Sequence, residues 1–114
     1  MIKGVGQKGE DIAADYLKEK GYKILHRNFK TPVGEADMII ADDDILVFVE
    51  VKTRSGNTFG EPFEAVNSRK QGKIRKIALY YLKLHKLQKQ VRFDVVSIVS
   101  RNGRADIRHM IEAF

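Results

Sequence analysis

One stretch, residues 34–52 with the sequence GEADMIIADDDILVFVEVK, constrains the fold more than any other part of the chain. Two β-type runs, 36–41 and 45–53, flank three consecutive aspartates, a pattern that predicts a hairpin with an acidic turn. Alternation along the second run puts Glu50 and Lys52 on one face and three valines on the other. A carboxylate and an ammonium group therefore leave an apolar strand on the same side.

The register of this hairpin decides which acidic residue faces Glu50. A two-residue loop formed by the last two aspartates of the turn puts Asp37 directly opposite, and a loop one residue earlier puts Glu35 there instead. Opposed side chains have Cβ atoms ~5 Å apart, and two unit charges ~4 Å apart repel by about 4 kcal/mol at an effective dielectric near 20. Either register therefore needs a raised carboxyl pKa, a nearby ammonium group, or a divalent cation such as Mg²⁺ or Mn²⁺.

Length and composition limit the class of protein. The 114 residues suit one domain over 1–114 with a core of modest extent. The chain has no cysteine, which excludes disulfides and thiolate metal sites, and its three histidines have no ligand spacing. It contains neither a signal-peptide pattern nor the ~20 apolar residues of a membrane span. We therefore expect a cytoplasmic protein that does not contact membranes.

The net charge of +6 is unevenly distributed along the chain. Residues 65–93 contain nine lysines and arginines and no acidic residue, so the remainder is net acidic. A basic segment beside an acidic hairpin is typical of a protein that binds phosphates with one part and a metal ion with another. A solvated helix face explains the basic residues equally well from charge alone.

Hydrophobic periodicity predicts the remaining elements. Gly21 gives the stop signal just past the first helix, and a capping box of Ser68 and Gln71 begins the second. Residues 55–62 are rich in turn residues and are expected to form an exposed loop beside the acidic hairpin. The chain order is α-β-β-β-α-β-β, an α/β mixed sheet flanked by helices, in which the crossover through the second helix favours parallel pairing. The elements outside the hairpin are helix 5–20, strand 22–29, helix 68–85 and strands 91–99 and 105–111.

Asp37, followed on the next strand by Glu50-Val51-Lys52 and preceded by a helix carrying Glu10, resembles the PD-(D/E)XK nuclease superfamily. Ala36 is a departure, because the superfamily motif has proline there. Three local strings are similar to the small bacterial YraN-like family of predicted endonucleases, itself similar to archaeal Holliday junction resolvases, and the likeness covers nearly the whole chain. The strings are GEAD at 34–37, FVEVKTR at 48–54 and FGEPFEAV at 59–66.

The resemblance implies a restriction-endonuclease-like fold and metal-dependent hydrolysis of phosphodiesters in nucleic acid. The expected substrate is DNA, including branched DNA of the Holliday type, and the expected cofactor is Mg²⁺ or Mn²⁺. Asp37, Glu50 and the Val51 backbone carbonyl would bind the cation. Lys52 would orient or deprotonate the attacking water, or stabilise the charge on the phosphate. Glu10 resembles an acid of the first helix that adds a metal ligand in the resolvase-like branch.

Several of these residues also have structural explanations. Glu10 near a helix start favours the helix dipole. Glu35 either joins the site as an outer ligand or only sets the local field. Gln71 resembles a helix position that lines such sites, and the capping box explains it equally well. Phosphates of the nucleic acid are expected to contact the basic residues of the second helix, Arg69, Lys70, Lys73, Lys76 and Lys83.

One further acid, Asp94, interrupts the apolar strand VRFDVVSIV and needs a partner if it is buried. An arginine such as Arg27 is the expected partner. This pairing would make Asp94 a structural residue and not part of a site.

Two other classes of function stay open. A nucleic-acid-binding module that keeps the fold without turnover predicts salt-dependent binding and no cleavage, although the crowded charges of Asp37, Glu50 and Lys52 have no purpose in it. A protein-interaction domain would use the basic helix against an acidic partner. Junction resolution acts on two strands symmetrically, so a resolvase would fit a two-fold homodimer.

Overall fold

The computed structural model describes residues 5–55 and 66–114, which form two helices and one five-stranded sheet. The order of these elements confirms the predicted α-β-β-β-α-β-β succession, with every boundary within two residues of its predicted position. The predicted loop at 55–62 lies outside the described residues, apart from Ser55 at the end of a strand. The elements are α1 Val5–Glu19, β1 Lys23–Lys30, β2 Glu35–Asp42, β3 Ile45–Ser55, α2 Ser68–Leu84, β4 Val91–Arg101 and β5 Arg104–Met110.

The strands lie in the order β1-β2-β3-β4-β5. β3 and β4 are parallel, and the other neighbouring pairs are antiparallel. The parallel pair follows from the crossover through α2, because a strand that returns after a helix runs in the original direction. The predicted mixed sheet flanked by helices is thus confirmed. Neither described helix is long and apolar enough to cross a membrane.

Two apolar clusters cover the two faces of the sheet. Side chains of β3 alternate between them as predicted, with Leu46 and Phe48 in the cluster under α2 and Val47 and Val49 in the cluster under α1. Because both faces are covered, a charged side chain in the middle of β3 is removed from water. Glu50 is accordingly only 3 % exposed.

The β2–β3 hairpin has the first of the two predicted registers. Asp42 pairs with Ile45, as a loop of two residues requires. Asp43, the first loop residue, has a φ of 52°, in the left-handed region that such loops use. This register makes Asp37 and Glu50 the next residues to oppose each other beyond the last regular pair.

Counted from the hairpin loop, the pairing of β2 with β3 stops one residue pair short of those two acids. The pairing ends with Met38 opposite Val49. β2 nevertheless stays paired with β1 as far as Glu35, and β3 stays paired with β4 as far as Ser55. The sheet therefore opens between β2 and β3 at the position of the predicted site.

β1 is irregular where it faces Asp37. Asn28 is the residue opposite, and its φ of 53° lies in the left-handed region, which asparagine tolerates better than most residues. On β2, Ala36 lies in the α2 cluster although Met38 lies in the α1 cluster, so strict alternation also fails there. β1 and β2 thus both depart from regular β geometry at the opposed residues Asn28 and Asp37.

Candidate metal and phosphate site

Asp37 and Glu50 come together where β2 and β3 separate. Asp37 Oδ2 accepts a hydrogen bond of 2.8 Å from the Val51 N–H. The carboxyl groups of Asp37 and Glu50 also hydrogen-bond to each other. Burial, followed by this hydrogen bond and the charge of Asp37, raises the pKa of Glu50 to about 8. The two acids predicted from the sequence therefore lie together, and their contact favours the protonated form of Glu50.

The contact differs in detail from two carboxylates side by side on one face. Glu50 leaves β3 on the same face as Phe48, whereas Asp37 lies in the opening, where its carboxylate takes the place of a backbone acceptor for Val51. The N–H and C=O of one strand residue point toward the same neighbouring strand, so the Val51 carbonyl also faces the β2 side. Both carboxylates and this carbonyl consequently gather at the opening.

This donor set fits a hard divalent cation. Mg²⁺ is usually bound through one or two carboxylates together with waters and substrate phosphates, without a complete protein cage. A proton between Asp37 and Glu50 neutralises their repulsion in the same way that a cation would. Over residues 5–55 and 66–114, no group of three His, Asp or Glu side chains is close enough to hold a metal ion. Among the described residues, the groups available to bind a cation here are therefore the carboxyl groups of Asp37 and Glu50 and the Val51 carbonyl.

Two lysines flank the acid pair. Lys70 Nζ lies 3.9 Å from Glu50 Oε2, an ionic contact that is too long for a hydrogen bond. Burial, followed by the adjacent Lys70, lowers the pKa of Lys52, while Glu50 and Asp37 act in the opposite direction. Two neighbouring ammonium groups repel each other, and an anion bound between them would remove that cost. The arrangement is suited to a phosphate oxygen.

Glu10 reaches the site from α1. Burial, followed by the charge of Asp37, raises the pKa of Glu10, and Arg27 acts in the opposite direction. The Asn28 amide nitrogen lies 3.0 Å from Glu10 Oε1 and 3.1 Å from Glu35 Oε1, in the orientation that donates to both. Glu10 is thus within electrostatic reach of Asp37, and Asn28 holds it. Glu35 is exposed, and it meets Glu10 through the same amide.

The position of Glu10 depends on the glycine before it. A Cβ added at Gly9 would overlap Thr53 Oγ1 on β3. α1 therefore approaches the sheet closely at this residue, which carries the adjacent Glu10 to the site. Sequence reasoning missed Gly9, because a glycine in the first turns of a helix gives no signal of a close approach by itself.

The start of α2 differs from the predicted capping box. Asn67, and not Ser68, caps the helix, and its side chain accepts a hydrogen bond of 3.0 Å from the Lys70 N–H. The capping box prediction is therefore wrong by one residue. Gln71, predicted as an outer site residue, donates its side-chain amide to the Val66 carbonyl at 2.9 Å. This contact joins the first turn of α2 to Val66, the residue before the N-cap.

The predicted basic residues divide into two groups. Lys70 is half-buried against Glu50, and the other four are exposed on α2. Sequence reasoning had assigned Lys70 only to nucleic-acid contacts, because which side of the first helical turn faces the sheet depends on tertiary packing. A cavity of about 480 Å³ beside Lys70 is lined by Asn67, Arg69, Lys70 and Lys73.

The second buried acid, Asp94, is fully enclosed and satisfied by protein groups. Arg92 donates to its two oxygens at 2.9 and 3.0 Å, His109 Nε2 lies 2.7 Å from Oδ2, and the Glu112 N–H donates at 3.1 Å. Burial by itself would raise the pKa of Asp94, but the hydrogen bonds from His109 and Arg92 lower it. Asp94 thus behaves as the structural residue that was predicted.

The predicted partner of Asp94 is wrong. Arg27 pairs with Asp11 of α1 at 2.6 Å. Arg92 takes its place because it lies two residues before Asp94 and therefore on the same face of β4. Arg27 is on β1, three positions away in the sheet.

Comparisons with known proteins agree with the strings noted in the sequence. The model of the family described as "Uncharacterised protein family UPF0102" matches residues 9–98. A UPF0102 protein of Syntrophomonas wolfei is 50 % identical, with both chains covered in full. UPF0102 proteins of Thermodesulfovibrio yellowstonii and Dictyoglomus thermophilum are 46 % and 45 % identical, over 96 % and 98 % of this chain and 95 % and 98 % of theirs. UPF0102 is the YraN-like family that the sequence strings predicted. That prediction is confirmed, and the chain belongs to the UPF0102 family.

Proposed function

We propose that this protein is a metal-dependent nuclease of the PD-(D/E)XK type that hydrolyses phosphodiester bonds in DNA. The observation that carries the proposal is the meeting of Asp37 and Glu50 at the opening between β2 and β3, with Lys52 and Lys70 beside them. Oxygen ligands for a cation and ammonium groups for a phosphate are thereby available at one point. A mixed sheet with a helix on each face supports the same assignment.

Asp37, Glu50 and the Val51 carbonyl would hold the divalent cation, which when bound polarises a phosphate oxygen and lowers the pKa of a coordinated water. Lys52 binds a non-bridging oxygen of the scissile phosphate, where negative charge grows in the transition state. Lys70 contacts the same phosphate from α2. Glu10 adds negative charge behind Asp37 and so favours a cation in the site.

The exposed cations of α2 would hold phosphates that flank the scissile one. Lys70 connects the acid pair to the cavity that Arg69 and Lys73 also line, so the basic surface begins at the site itself. Contacts of this type do not depend on base sequence, and the affinity that they give falls steeply with salt. The proposal therefore predicts strong salt dependence and weak sequence preference.

The test is cleavage of a supercoiled plasmid and of a synthetic four-way junction with Mg²⁺ or Mn²⁺. We expect cleavage by the wild type and none by Glu50→Ala or Asp37→Asn. Lys89→Ala is the matched control, because it removes one charge from the exposed segment before β4. Equal background for the wild type and Glu50→Ala on every substrate would end the nuclease proposal. Salt-dependent binding without cleavage would indicate the binding module instead.

A further inference from the structure

A cavity of about 510 Å³ lies beside the proposed site, next to the first turns of α1. It is located at the carboxyl ends of the parallel strands β3 and β4, a common position for ligands of open α/β sheets. Its volume is within the range of sites for small molecules. Its walls come from three elements of the fold: Lys8 and Ile12 on α1, Thr53 and Arg54 on β3, and Ser100 and Arg104 around the β4–β5 turn.

The lining combines positive charge with an apolar surface. Lys8, Arg54 and Arg104 supply three cations, and the described lining contains no acidic side chain. Thr53 and Ser100 add hydroxyl groups, while two isoleucines and an alanine supply the apolar wall. A guanidinium group binds phosphate oxygens in a bidentate manner, and an apolar wall accepts a base or a sugar. A nucleotide uses both parts, whereas a bare phosphate or an uncharged ligand uses only one.

The cavity and the acid pair are neighbours on two elements. Gly9 lines the cavity and Glu10 belongs to the site, and on β3 Thr53 lines the cavity directly after Lys52. Glu50 and Thr53 are three positions apart on β3, a distance of about 10 Å along an extended strand. Thr53 faces α1, and Glu10 of the same helix reaches Asp37 at the opening between β2 and β3, so a strand of nucleic acid that lies along this opening can contact both.

We propose that this cavity binds one nucleotide unit of the substrate strand next to the scissile phosphate. Arg54, Arg104 and Lys8 hold the phosphate of that unit, and the apolar wall contacts its base or sugar. The identity of the ligand as part of a strand rests on the proposed nuclease function. The preference for a nucleotide rests on the chemistry of the cavity alone.

The test is an NMR titration of the metal-free protein, in EDTA, with thymidine 5′-monophosphate, thymidine and a six-nucleotide oligothymidylate. The monophosphate and the oligonucleotide are expected to shift the amides of Thr53 and of the β4–β5 turn. Thymidine lacks the phosphate and should bind at least about tenfold more weakly. Arg104→Ala, at the exposed first residue of β5, should weaken binding by about tenfold. Lys89→Ala makes the same change of charge elsewhere and should have no effect.

Three results would overturn the proposal. The first is the absence of saturable shifts around the cavity, and the second is equal binding by the wild type and Arg104→Ala. The third is a set of shifts that the monophosphate causes and the oligonucleotide does not, because the ligand would then not be part of a strand.

The titration is independent of cleavage, because it contains no metal. Glu50→Ala is expected to bind the monophosphate as the wild type does. If the protein binds nucleotides but cleaves no substrate, the proposal that the cavity binds a nucleotide stands and the nuclease proposal fails. Cleavage by a protein whose cavity binds no nucleotide would do the reverse. In an active protein, Arg104→Ala should raise KM by about tenfold and leave kcat within about twofold.

Discussion

Two buried carboxyl groups on adjacent strands of the sheet, Asp94 on β4 and Glu50 on β3, have opposite surroundings. Asp94 is 0 % exposed and receives hydrogen bonds from Arg92, His109 and a backbone N–H, which lower its pKa. Glu50 is 3 % exposed, faces the carboxyl group of Asp37 and has a pKa raised to about 8. Burial is nearly the same at the two positions, and the partners differ.

The difference distinguishes a structural acid from a candidate functional one. Asp94 obtains all its described compensation from the protein, so its charge is already accommodated. Glu50 has the Lys70 ammonium group at 3.9 Å and is crowded by a second acid, so its ionised form is destabilised. A buried acid whose nearest partner is another acid is therefore the better candidate for function.

The largest effect is expected at the structural acid. Asp94→Ala should lower the free energy of unfolding by about 3–5 kcal/mol, because it leaves the buried Arg92 without its principal partner. Urea denaturation measures the change. Folded Asp94→Ala protein, stabilised at low temperature, should still bind Mn²⁺. A loss below 1 kcal/mol, or a loss of metal binding in the folded variant, would contradict the assignment.

Glu50→Gln should act in the opposite direction. The folded-state pKa of Glu50 lies above its ordinary value of 4.5, so this group contributes most to stability below pH 4.5, and the contribution is lost as pH rises toward 8. The metal-free wild type should therefore lose on the order of 3 kcal/mol relative to Glu50→Gln between pH 5 and pH 8. Denaturation curves at both pH values in EDTA measure this. Equal pH dependence in the two proteins would contradict it.

Gly9→Ala tests whether α1 must approach β3 closely for Glu10 to reach the site. The new Cβ overlaps Thr53 Oγ1, so we expect a loss of about 1–3 kcal/mol of stability and reduced cleavage. Gly72→Ala is the matched control, because its Cβ meets no atom within 4 Å and alanine favours a helix by about 0.5–1 kcal/mol. Addition of Thr53→Ala to Gly9→Ala should restore part of both losses. A Gly9→Ala protein as stable and active as the wild type would contradict the close approach.

The smallest effect on stability is expected for Lys70→Ala. The Lys70 side chain is 39 % exposed, so its ion pair with Glu50 contributes less than about 1 kcal/mol. Cleavage should nevertheless fall by about tenfold, because the ammonium group contacts the proposed phosphate position. Lys73→Ala, which removes an exposed charge from the same helix, should reduce only salt-dependent binding. Equal cleavage rates for the two variants would place Lys70 among the general phosphate contacts.

The fold and the centre of the site were predictable because their signals are local. Alternation in β3 fixed which residues share a face with Glu50, and the position of the acidic turn limited the registers to two. The irregularity at Asn28 and the separation of β2 from β3 after Met38 were not predictable, because both depend on how three strands fit together. The contact of Lys70 with Glu50 and the close approach at Gly9 were missed for a similar reason, since helix packing decides which side of each helix faces the sheet.

The partner of Asp94 shows the same limit from the other side. Sequence correctly indicates that a charge in an apolar strand needs compensation. It does not indicate which arginine provides this compensation, because the fold decides which of several arginines and histidines lies close to Asp94. The nearest same-face cation on the strand, Arg92, would have been the better choice on geometry alone.

The most direct test of the central claim is a Mn²⁺ titration without nucleic acid, with free Mn²⁺ followed by electron paramagnetic resonance. The wild type at pH 8 should bind Mn²⁺ saturably, and Asp37→Ala and Glu50→Gln should bind it at least about tenfold more weakly. Glu35→Gln removes an exposed acid two residues before Asp37 on β2 and should stay within about twofold of the wild type. Equal affinity in the wild type and Asp37→Ala, or no saturable binding at all, would contradict the claim that this acid pair is a metal site.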